Sequence, residues 1–356
     1  MKKKALKVVV AFNEAHPEFY HTQDEIKGKK LDFVPFFEVE KISPIEEYEI
    51  LAQKLEKTGI DAYPLNIKDN IHKLLEDIKK NQPDVIFNFI ELYNEDARLE
   101  MDVVGLLELT GVSYTGAPPM ALANCQSKVL AKRLLKSYGI QTPDFIVVKE
   151  LTKKLKHQLR FPLMVKPAFE DASVGIENSS IVENNARLKE RIEYVHKIFC
   201  QPALVEEFID GRELNVAIMG DQNPAALPIS EIDFTEMPDH LYNIVSYQAK
   251  WDPQDEAYHK TIPICPAKLP RGITTQAKQI AIKAFKIMTC RDYSRIDIRL
   301  SKDNELYVLE VNPNPDLTEG AGFMRSAEAA GYSYTTTLKK IIQLAYNRGK
   351  RKNGLV

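Results

Sequence analysis

The stretch YSRIDIRLSKDNELYVLEVNPNPDLT, residues 293–318, decides the fold of this chain. Each of its halves alternates apolar with polar residues, the period of a half-buried strand, and Tyr307, Leu309 and Val311 form the predicted apolar face of the second strand. A polar turn at residues 303–304 separates the halves, and Pro-Asn-Pro follows. The pattern therefore predicts a β-hairpin that runs into a stiff loop.

A hairpin centred on that turn places Asp297 opposite Glu310 and Arg295 opposite Asn312. Opposed residues share one face of a sheet, with Cβ atoms roughly 4.5–5.5 Å apart. Two carboxylates that close repel each other unless a cation lies between them, and carboxylate and amide oxygens are ligands that Mg²⁺ takes. We therefore predict a metal site of Asp297, Glu310 and Asn312. The alternative is a solvent-facing hairpin, and a turn of another length would shift the pairing.

Composition places the chain among soluble globular proteins. It has 356 residues, enough for two or three domains, with 44% apolar and 28% charged residues. A net charge of −2 argues against nucleic acid as the main partner, and no stretch approaches the roughly 20 apolar residues of a membrane span. The four cysteines are scattered, as in reduced cytosolic proteins. We therefore expect a cytoplasmic protein with no membrane partner.

The first third of the chain alternates strands with helices. This order predicts a parallel sheet that is covered by helices on both faces. Ser43 and Glu46 form a predicted capping box at the start of the first helix. The predicted strands span residues 6–12, 60–65, 84–90 and 112–115, and the predicted helices begin at residues 43, 69 and 98.

Residues 120–138 read as one helix that carries Lys128, Lys132 and Lys136 on one face. The ordinary interpretation of such a stripe is a solvated face, and we apply it to two of the three lysines.

The second half of the chain carries further signals of a binding site. A strand delivers Lys166 onto a loop of small residues, among them Ser173, whose backbone N–H groups can approach an anion. Two strands follow, joined by a turn at residues 210–211. Residues 237–270 contain five prolines and few regular signals, which predicts a long functional loop. Helices are predicted over residues 272–288 and 335–346.

The order of these motifs resembles the ATP-grasp superfamily, and within it the D-alanine–D-alanine ligase-like group. The chain has no GxxxxGK[ST], so it is not a P-loop protein. The resemblance covers nearly the whole chain. Besides the hairpin, it rests on VGLLELTGVSYTG (104–116), LMVKPAFEDASVGI (163–176), LVEEFIDGREL (204–214) and YQAKW (247–251).

The resemblance implies an α/β (α+β) ATP-grasp fold in which two lobes clasp ATP. It implies an amino-terminal α/β domain over residues 1–119, a central lobe over 120–205, and a carboxy-terminal lobe over 206–356 that holds the metal site. The ligase family is often dimeric, so a homodimer is allowed, although the sequence reveals no interface.

The resemblance also implies a role for each matching residue. ATP and two Mg²⁺ ions are the implied cofactors, with Mn²⁺ as an alternative, and Asp297, Glu310 and Asn312 are the implied metal ligands. Arg295 would steady the tetrahedral intermediate. The implied nucleotide contacts are Lys128, Lys166 and Ser173 at the phosphates, Glu206, Glu207 and Ile209 along the adenine, Glu213 at the ribose, and the catalytic Lys250 at the γ-phosphate.

The implied activity is an ATP-dependent ligation of small-molecule carboxylate and amine substrates. The carboxylate attacks the γ-phosphate, and the amine then attacks the acyl phosphate to give an amide, ADP and phosphate. Residues 169–175 and 237–270 are the expected lids, because an acyl phosphate must be shielded from water.

The substrate contacts of the strict ligases are changed in this chain. Asp316 replaces a glycine, Ala321 replaces a serine that binds the acceptor carboxylate, and Trp251 replaces a tyrosine. The amino-terminal motif with its substrate-binding glutamate is not recognisable, and Glu14 or Glu18 are candidates to replace it. We therefore expect substrates other than two D-alanines. The alternatives are a divergent D-alanine–D-alanine or D-alanine–D-lactate ligase and a nucleotide-binding regulatory protein without turnover.

Overall fold

The structure is a computed structural model that describes most of the chain. The described residues are 5–14, 44–152, 155–170, 173–352 and 354. The predicted cap Ser43 and the candidate substrate residue Glu18 lie outside these ranges. Within them, no helix is long and apolar enough to cross a membrane.

A parallel sheet forms the amino-terminal part of the molecule. Its elements are β1 (Lys7–Phe12), α1 (Pro44–Glu56), β2 (Asp61–Asn66), α2 (Ile71–Asn81), β3 (Val85–Phe89), α3 (Glu100–Thr110) and β4 (Ser113–Tyr114). The strand order is β2-β1-β3-β4. Val8 and Val9 of β1 are both fully buried but belong to different hydrophobic clusters, because each face of the sheet is covered. The predicted α/β class is confirmed.

The single helix predicted over residues 120–138 is two helices, α4 (Pro119–Gln126) and α5 (Lys128–Ser137). Ser127 separates them, and its hydroxyl accepts a hydrogen bond from the Leu130 backbone N–H at 3.3 Å. Serine is a favoured N-cap, so the break has a local cause that helical periodicity alone does not reveal. Lys128 is consequently the first residue of α5.

A second, antiparallel sheet carries the predicted phosphate-binding loop. Its elements are β5 (Phe145–Val148), β6 (Leu163–Pro167), β7 (Ile181–Val182), α6 (Asn185–Phe199) and β8 (Ala203–Glu207). The strand order is β5-β8-β6-β7. Leu188 and Ile192 of α6 pack on Val165 and Val205 and form a separate hydrophobic core.

The third sheet contains the predicted hairpin. Its strands are β9 (Gly211–Gly220), β10 (Ala225–Ala226), β11 (Ser230–Asp233), β12 (Ile262–Ile264), β13 (Asp292–Ser301) and β14 (Leu306–Asn312). The order is β12-β11-β9-β13-β14, with β10 beside β9. Leu214 and Ile296 share a hydrophobic cluster with Val9 of the first sheet. The first and third sheets therefore share a core, whereas the second sheet has its own.

The long loop predicted over residues 237–270 contains regular structure. Besides β12 it holds two short helices, α7 (Tyr247–Trp251) and α8 (Glu256–Lys260). The side chains of Ser246 and Asp255 cap them by accepting hydrogen bonds from backbone N–H groups. Pro253 lies between the two helices, and Pro263 lies within β12, which is an edge strand where proline is tolerated. The expectation of an irregular segment is therefore wrong.

Three further helices complete the carboxy-terminal part. They are α9 (Arg271–Ile287), α10 (Gly322–Ala329) and α11 (Tyr334–Lys352). Helix α9 matches its prediction and α11 is longer than predicted. Helix α10 was not predicted, because Ala321 at its N-cap makes no side-chain capping hydrogen bond and the helix is only eight residues long.

Strands β8 and β9 do not pair with each other, contrary to the expected two strands joined by a tight turn. They lie in different sheets, and residues 208–210 connect them. At Gly211 φ is +150°, and a Cβ would lie 2.0 Å from the Leu300 carbonyl oxygen of β13. Gly211 is therefore required by the close approach of β9 to β13.

Candidate active site

The hairpin brings the predicted metal ligands together in the predicted register. Asp297 pairs with Glu310 and Arg295 pairs with Asn312. The side chain of Asp297 is nearly inaccessible, at 7% exposure, and that of Glu310 is 35% exposed. The carboxylates therefore face a cleft that is open on the Glu310 side.

A β-bulge near Leu309 produces this register. On the turn side of the bulge Ile298 pairs with Val308, and the pairing shifts by one residue before Asp297 meets Glu310. The predicted apolar face is therefore wrong near the turn, because Val308 is fully buried whereas Tyr307 and Leu309 are only half-buried.

Arg295 and two amides hold the Asp297 carboxylate. Arg295 donates from Nε to Oδ1 at 2.7 Å and from Nη2 to Oδ2 at 2.8 Å. Asn312 Nδ2 donates to Asp297 Oδ2 at 2.9 Å and to Glu310 Oε1 at 3.3 Å, so its amide bridges the two carboxylates. Asn215 of β9 donates to Asp297 Oδ1 at 2.8 Å. We did not predict Asn215, although the pairing of β9 with β13 places it beside Asp297.

The donor set fits a hard cation. Among the residues that the structure describes, no cluster of three or more His, Cys, Asp or Glu side chains could hold a metal, so a site here needs the Asn312 amide as its third ligand. The amide already lies between both carboxylates, and a rotation about its last side-chain bond would turn its oxygen toward a bound ion. Two carboxylates and an amide oxygen are suitable ligands for Mg²⁺.

The two carboxylates differ in their electrostatic surroundings. Burial alone would raise the pKa of Glu310, but Lys128, Lys166 and Arg295 together lower it to about 2. Burial raises the pKa of Asp297, and Glu310 adds to this rise against the opposing charge of Arg295. Lys128 Nζ lies 3.7 Å from Glu310 Oε2, which ties the start of α5 to the hairpin.

A buried network of charges lies at the start of the connection between the second and third sheets. The two oxygens of Glu206 lie 3.0 Å from the Nζ atoms of Lys132 and Lys166. Lys132 is 1% exposed and also donates to Thr142 Oγ1 at 2.8 Å. Burial lowers the pKa of Lys132 to about 8, with Glu206 opposing. The lysines lower the pKa of Glu206 in spite of its burial.

The interpretation of two solvated lysines on α5 is therefore half right. Lys136 is exposed and pairs with Asp144, whereas Lys132 is buried against Glu206. Four-residue spacing identifies a common face of the helix, but it does not indicate that β8 covers part of that face with a carboxylate.

The remaining predicted adenine contacts lie on this connection. The Glu207 side chain accepts from the Arg160 backbone N–H at 2.9 Å and pairs with the Arg160 guanidinium at 2.8 Å. Phe208 N–H donates to the Pro162 carbonyl at 3.0 Å. Ile209 is half-buried and makes no hydrogen bond to any residue in the described ranges, which leaves its backbone N–H and C=O open to a ligand.

Glu213, the predicted ribose contact, lies within electrostatic reach of the hairpin carboxylates. Its Oε2 lies 3.1 Å from Arg299 Nη2. Burial raises the pKa of Glu213 despite Arg299, and Asp297 and Glu310 raise it further. We did not predict a role for Arg299, which is 3% exposed and anchors Glu213.

The two predicted lids contact each other. Lys250 makes no hydrogen bond or ion pair with the hairpin residues among those the structure describes. Ser173 Oγ donates to the Val245 carbonyl at 3.0 Å, and Tyr247 N–H donates to the Ile176 carbonyl at 2.8 Å. Lys250 is exposed, with its ammonium 5.2 Å from the centre of the Trp251 ring.

A small cavity adjoins the loop that follows Asn312. Its volume is about 40 Å³, and its walls come from α1, the end of β3 and residues 314–318. Glu47 of α1 lines it, whereas Glu14 does not belong to the described lining. The sequence does not indicate this position of Glu47, because α1 contacts the loop after Asn312 only through tertiary packing.

Comparisons with known proteins support the resemblance to the D-alanine–D-alanine ligase-like group. Residues 134–343 match the family described as D-ala D-ala ligase C-terminus. A D-alanine–D-alanine ligase of Carboxydothermus hydrogenoformans is 31% identical, over 83% of this chain and 91% of that protein. An uncharacterised Sinorhizobium fredii protein, y4sG, is 33% identical over 74% of this chain and 75% of its own length.

A solved structure shows the same fold. The D-alanine–D-alanine ligase of Bacillus anthracis, complexed with ATP, superposes with a TM-score of 0.71 and 24% identity, covering 98% of this chain and all of that one. The family match covers more than half of the chain, and the ATP-grasp resemblance is confirmed. The chain therefore belongs to the D-alanine–D-alanine ligase family of ATP-dependent, ADP-forming ligases.

Proposed function

We propose that this protein joins a carboxylate and an amine with ATP, through an acyl phosphate, and that its substrates are not two D-alanines. The observation that carries the proposal is the opposed pair of Asp297 and Glu310, bridged by Asn312 and faced by Arg295 and Lys128. This arrangement gathers hard oxygen ligands and cations in one cleft, which a triphosphate and its metal require.

Each residue of the cleft would have its own role in binding. Asp297, Glu310 and Asn312 would hold Mg²⁺, which when bound neutralises phosphate charge. Lys128 and Lys166 would bind phosphate oxygens, and the open backbone of Ile209 would read the adenine. Arg295, fixed by two hydrogen bonds to Asp297, would face the oxygen that becomes negative when the amine attacks. Ser173 and Lys250 would enter as the lids close.

The acceptor end of the cleft favours an anionic acceptor read by arginine. Ala321, the N-cap of α10, has no hydroxyl to donate. A Cβ on Gly322 would lie 3.6 Å from Arg295 Cδ and 3.7 Å from Arg325 Nη2, so two guanidinium groups flank this residue. Arg325 Nε is buried and has no partner among the described residues. Arg295 is already paired with Asp297, so Arg325, beside uncapped helix N–H groups, is the guanidinium that would attract an anion.

The competing function is a D-alanine–D-alanine ligase, the name of most of the similar proteins. Phosphate release from ATP with Mg²⁺, measured over a panel of carboxylates and amines, separates the two. We expect other pairs to exceed D-alanine with D-alanine in kcat/KM. If D-alanine with D-alanine gives the highest kcat/KM of the panel, the peptidoglycan activity replaces our proposal. No release with any pair would favour a regulatory nucleotide-binding protein.

A further inference from the structure

Arg299 is a buried arginine that joins three separate parts of the molecule. It lies in β13, and its side chain is 4% exposed. Its Nη1 donates to the Gly211 carbonyl at 3.3 Å, where β9 begins. Its Nη2 donates to the Asn243 carbonyl at 3.0 Å and lies 3.1 Å from Glu213 Oε2. One guanidinium group therefore contacts the start of β9, the predicted ribose carboxylate and a predicted lid.

Aromatic rings enclose this guanidinium. Its central carbon lies 5.9 Å from the centre of the Phe208 ring and 5.8 Å from the centre of the Phe234 ring. Arginine is attracted to aromatic faces in this way, more strongly where water is excluded. Phe208 belongs to the connection that carries the predicted adenine contacts, and Tyr242 of the predicted lid packs edge-on against it, with ring centres 5.7 Å apart. The rings and the hydrogen bonds together hold the guanidinium in one position.

The part of the lid that Arg299 contacts is short, and we call its residues 240–247 the lid segment. The connection between β6 and β7 holds both ends of it. Asn178 donates to the His240 carbonyl at 3.3 Å and accepts from the Tyr242 N–H at 2.8 Å. The other end is held by the hydrogen bond from Tyr247 N–H to the Ile176 carbonyl. The middle of the lid segment is therefore the part that depends on Arg299.

A single nitrogen of Arg299 links the lid segment to Glu213. Nη2 donates to the Asn243 carbonyl while it pairs with the Glu213 carboxylate. The guanidinium is planar and its donors have a fixed geometry, so the positions of these two acceptors depend on each other. The ion pair uses one oxygen of the carboxylate, Oε2. A ligand that orients the Glu213 carboxylate would therefore also strengthen the hydrogen bond to the lid segment.

We propose that Arg299 is a positioning residue that couples the ribose end of the nucleotide site to the lid segment. The inference rests on the proposed ligase function, in which Glu213 accepts hydrogen bonds from the ribose hydroxyls. A nucleotide with these hydroxyls would hold the Glu213 carboxylate, which holds Arg299 against the Asn243 carbonyl. Two sites coupled in this way change each other's stability by the same free energy. The nucleotide would thus stabilise the lid segment, and the lid segment would stabilise the bound nucleotide.

Hydrogen exchange, followed by mass spectrometry of peptides, tests the contact with the lid segment without any ligand. Arg299→Met removes the guanidinium and keeps an unbranched side chain. We expect exchange in the lid segment to become at least tenfold faster, because its middle loses the hydrogen bond from Nη2. Exchange in α6, which packs in the separate core of the second sheet, should change less than twofold. Unchanged exchange in the lid segment of the folded variant would overturn the inference.

Two further variants make this measurement specific. Arg212 of β9 pairs with Glu231 and donates to the Lys268 carbonyl at 2.9 Å, so it has similar partners outside the predicted nucleotide contacts. Arg212→Met should leave exchange of the lid segment within twofold of wild type, and an equal acceleration in this control would overturn the inference. If Arg299→Met alone does not fold, Arg299→Met combined with Glu213→Gln removes both charges of the buried pair, and it should show the same tenfold acceleration.

The nucleotide 2′,3′-dideoxy-ATP, which lacks both ribose hydroxyls, tests the coupling. In wild type with Mg²⁺, saturating ATP should slow exchange of the lid segment at least threefold more than saturating dideoxy-ATP does. In Arg299→Met the two nucleotides should differ less than 1.5-fold, because Glu213 no longer reaches the lid segment through the guanidinium. An equal effect of both nucleotides in wild type, no effect of either, or a difference that persists in Arg299→Met would overturn the inference.

These measurements need no turnover, so they are separate from the test of the ligase reaction. If the exchange differences are found but no pair of substrates releases phosphate, the ligase proposal fails and the coupling stands. If ligation is found but the two nucleotides act equally on the lid segment, the coupling fails alone.

Discussion

Asp297 and Glu310 are opposed carboxylates, so a change of charge without a change of shape isolates their role. We predict that Asp297→Asn or Glu310→Gln lowers turnover at least about 100-fold, the effect of losing one strong electrostatic contact in an active site. The melting temperature should confirm that the fold persists. Glu305→Gln, an exposed change in the same hairpin, is the control. Retention of most activity in either variant would contradict the metal assignment.

Glu206 and Lys132 should contribute unequally to the stability of their buried network. Glu206→Gln leaves two buried lysines without a carboxylate and should destabilise the protein by about 3–5 kcal/mol. Lys132→Met leaves the pair of Glu206 and Lys166 intact and removes a poorly solvated charge, so it should cost far less. Urea unfolding measures both free energies. Equal losses would show that Lys132 is as necessary to the network as Glu206.

The lowered pKa of Lys132 predicts a dependence of stability on pH. The folded protein releases the proton near pH 8, whereas the unfolded chain holds it until about pH 10.4. Between these values the unfolded state binds more protons, so the contribution of Lys132 to the free energy of unfolding rises with pH. The difference in that free energy between wild type and Lys132→Met should therefore shift in favour of wild type from pH 7.5 to pH 10. A difference that is constant with pH would refute the shift.

Among the secondary-structure elements, β9 depends on a glycine. Gly211→Ala places a Cβ 2.0 Å from a backbone oxygen of β13 at a φ of +150°, and we expect a loss of at least about 1–3 kcal/mol. Gly272→Ala, in α9 with no atom within 4 Å of its Cβ, should instead gain up to about 1 kcal/mol. Thermal and urea unfolding check both. A tolerated Gly211→Ala would mean that β9 and β13 can separate locally.

The hairpin shows which features of a secondary-structure element can be predicted from the sequence. The prediction centred the turn between residues 303 and 304, but Leu300 pairs with Leu306, one residue out of that register. The bulge near Leu309 restores the pairing of Asp297 with Glu310. The pairing of Asp297 with Glu310 was therefore predicted correctly because two errors cancel: the position of the turn and the missing bulge. Periodicity does not reveal a bulge. An extra residue in one strand moves the side chains that follow it to the opposite face of the sheet, and the composition of the strand stays the same.

The residues that sequence reasoning missed are fixed by tertiary contacts. The partner of Lys132 in α5 is Glu206 of β8, and Glu47 reaches the loop after the predicted metal ligands through a hydrogen bond across 271 residues. No local pattern encodes such distances. The predicted metal ligands, in contrast, lie within one hairpin, where local pairing is sufficient to bring them together.

Across the whole molecule, groups of opposite charge lie around the loop that follows the hairpin. The cavity on the side of the parallel sheet is lined by carboxylates, whereas the guanidinium of Arg325 lies beside Gly322 at the start of α10. An anionic amine substrate would then bind beside Arg325 rather than in the cavity, where like charges would meet.

Substitution of Arg325 should therefore affect the second half-reaction, which needs the amine, more than the first. Arg325→Met removes a guanidinium beside Gly322 while keeping an unbranched side chain of similar length. We predict that KM for an anionic acceptor such as glutamate rises at least tenfold, because Ala321 offers no hydroxyl to replace the lost contact.

Trapping with hydroxylamine measures the first half-reaction alone, because the hydroxylamine nitrogen attacks the acyl carbon of the acyl phosphate and phosphate leaves, giving a hydroxamate. Hydroxamate formation should change less than threefold in Arg325→Met, and Arg187→Met on the exposed face of α6 serves as the matched control. Amide formation and hydroxamate formation are measured on the same preparation. If both fall together, Arg325 supports the fold or the first step rather than acceptor binding. If D-alanine remains the best acceptor of both wild type and variant, the charge of this end does not select the amine.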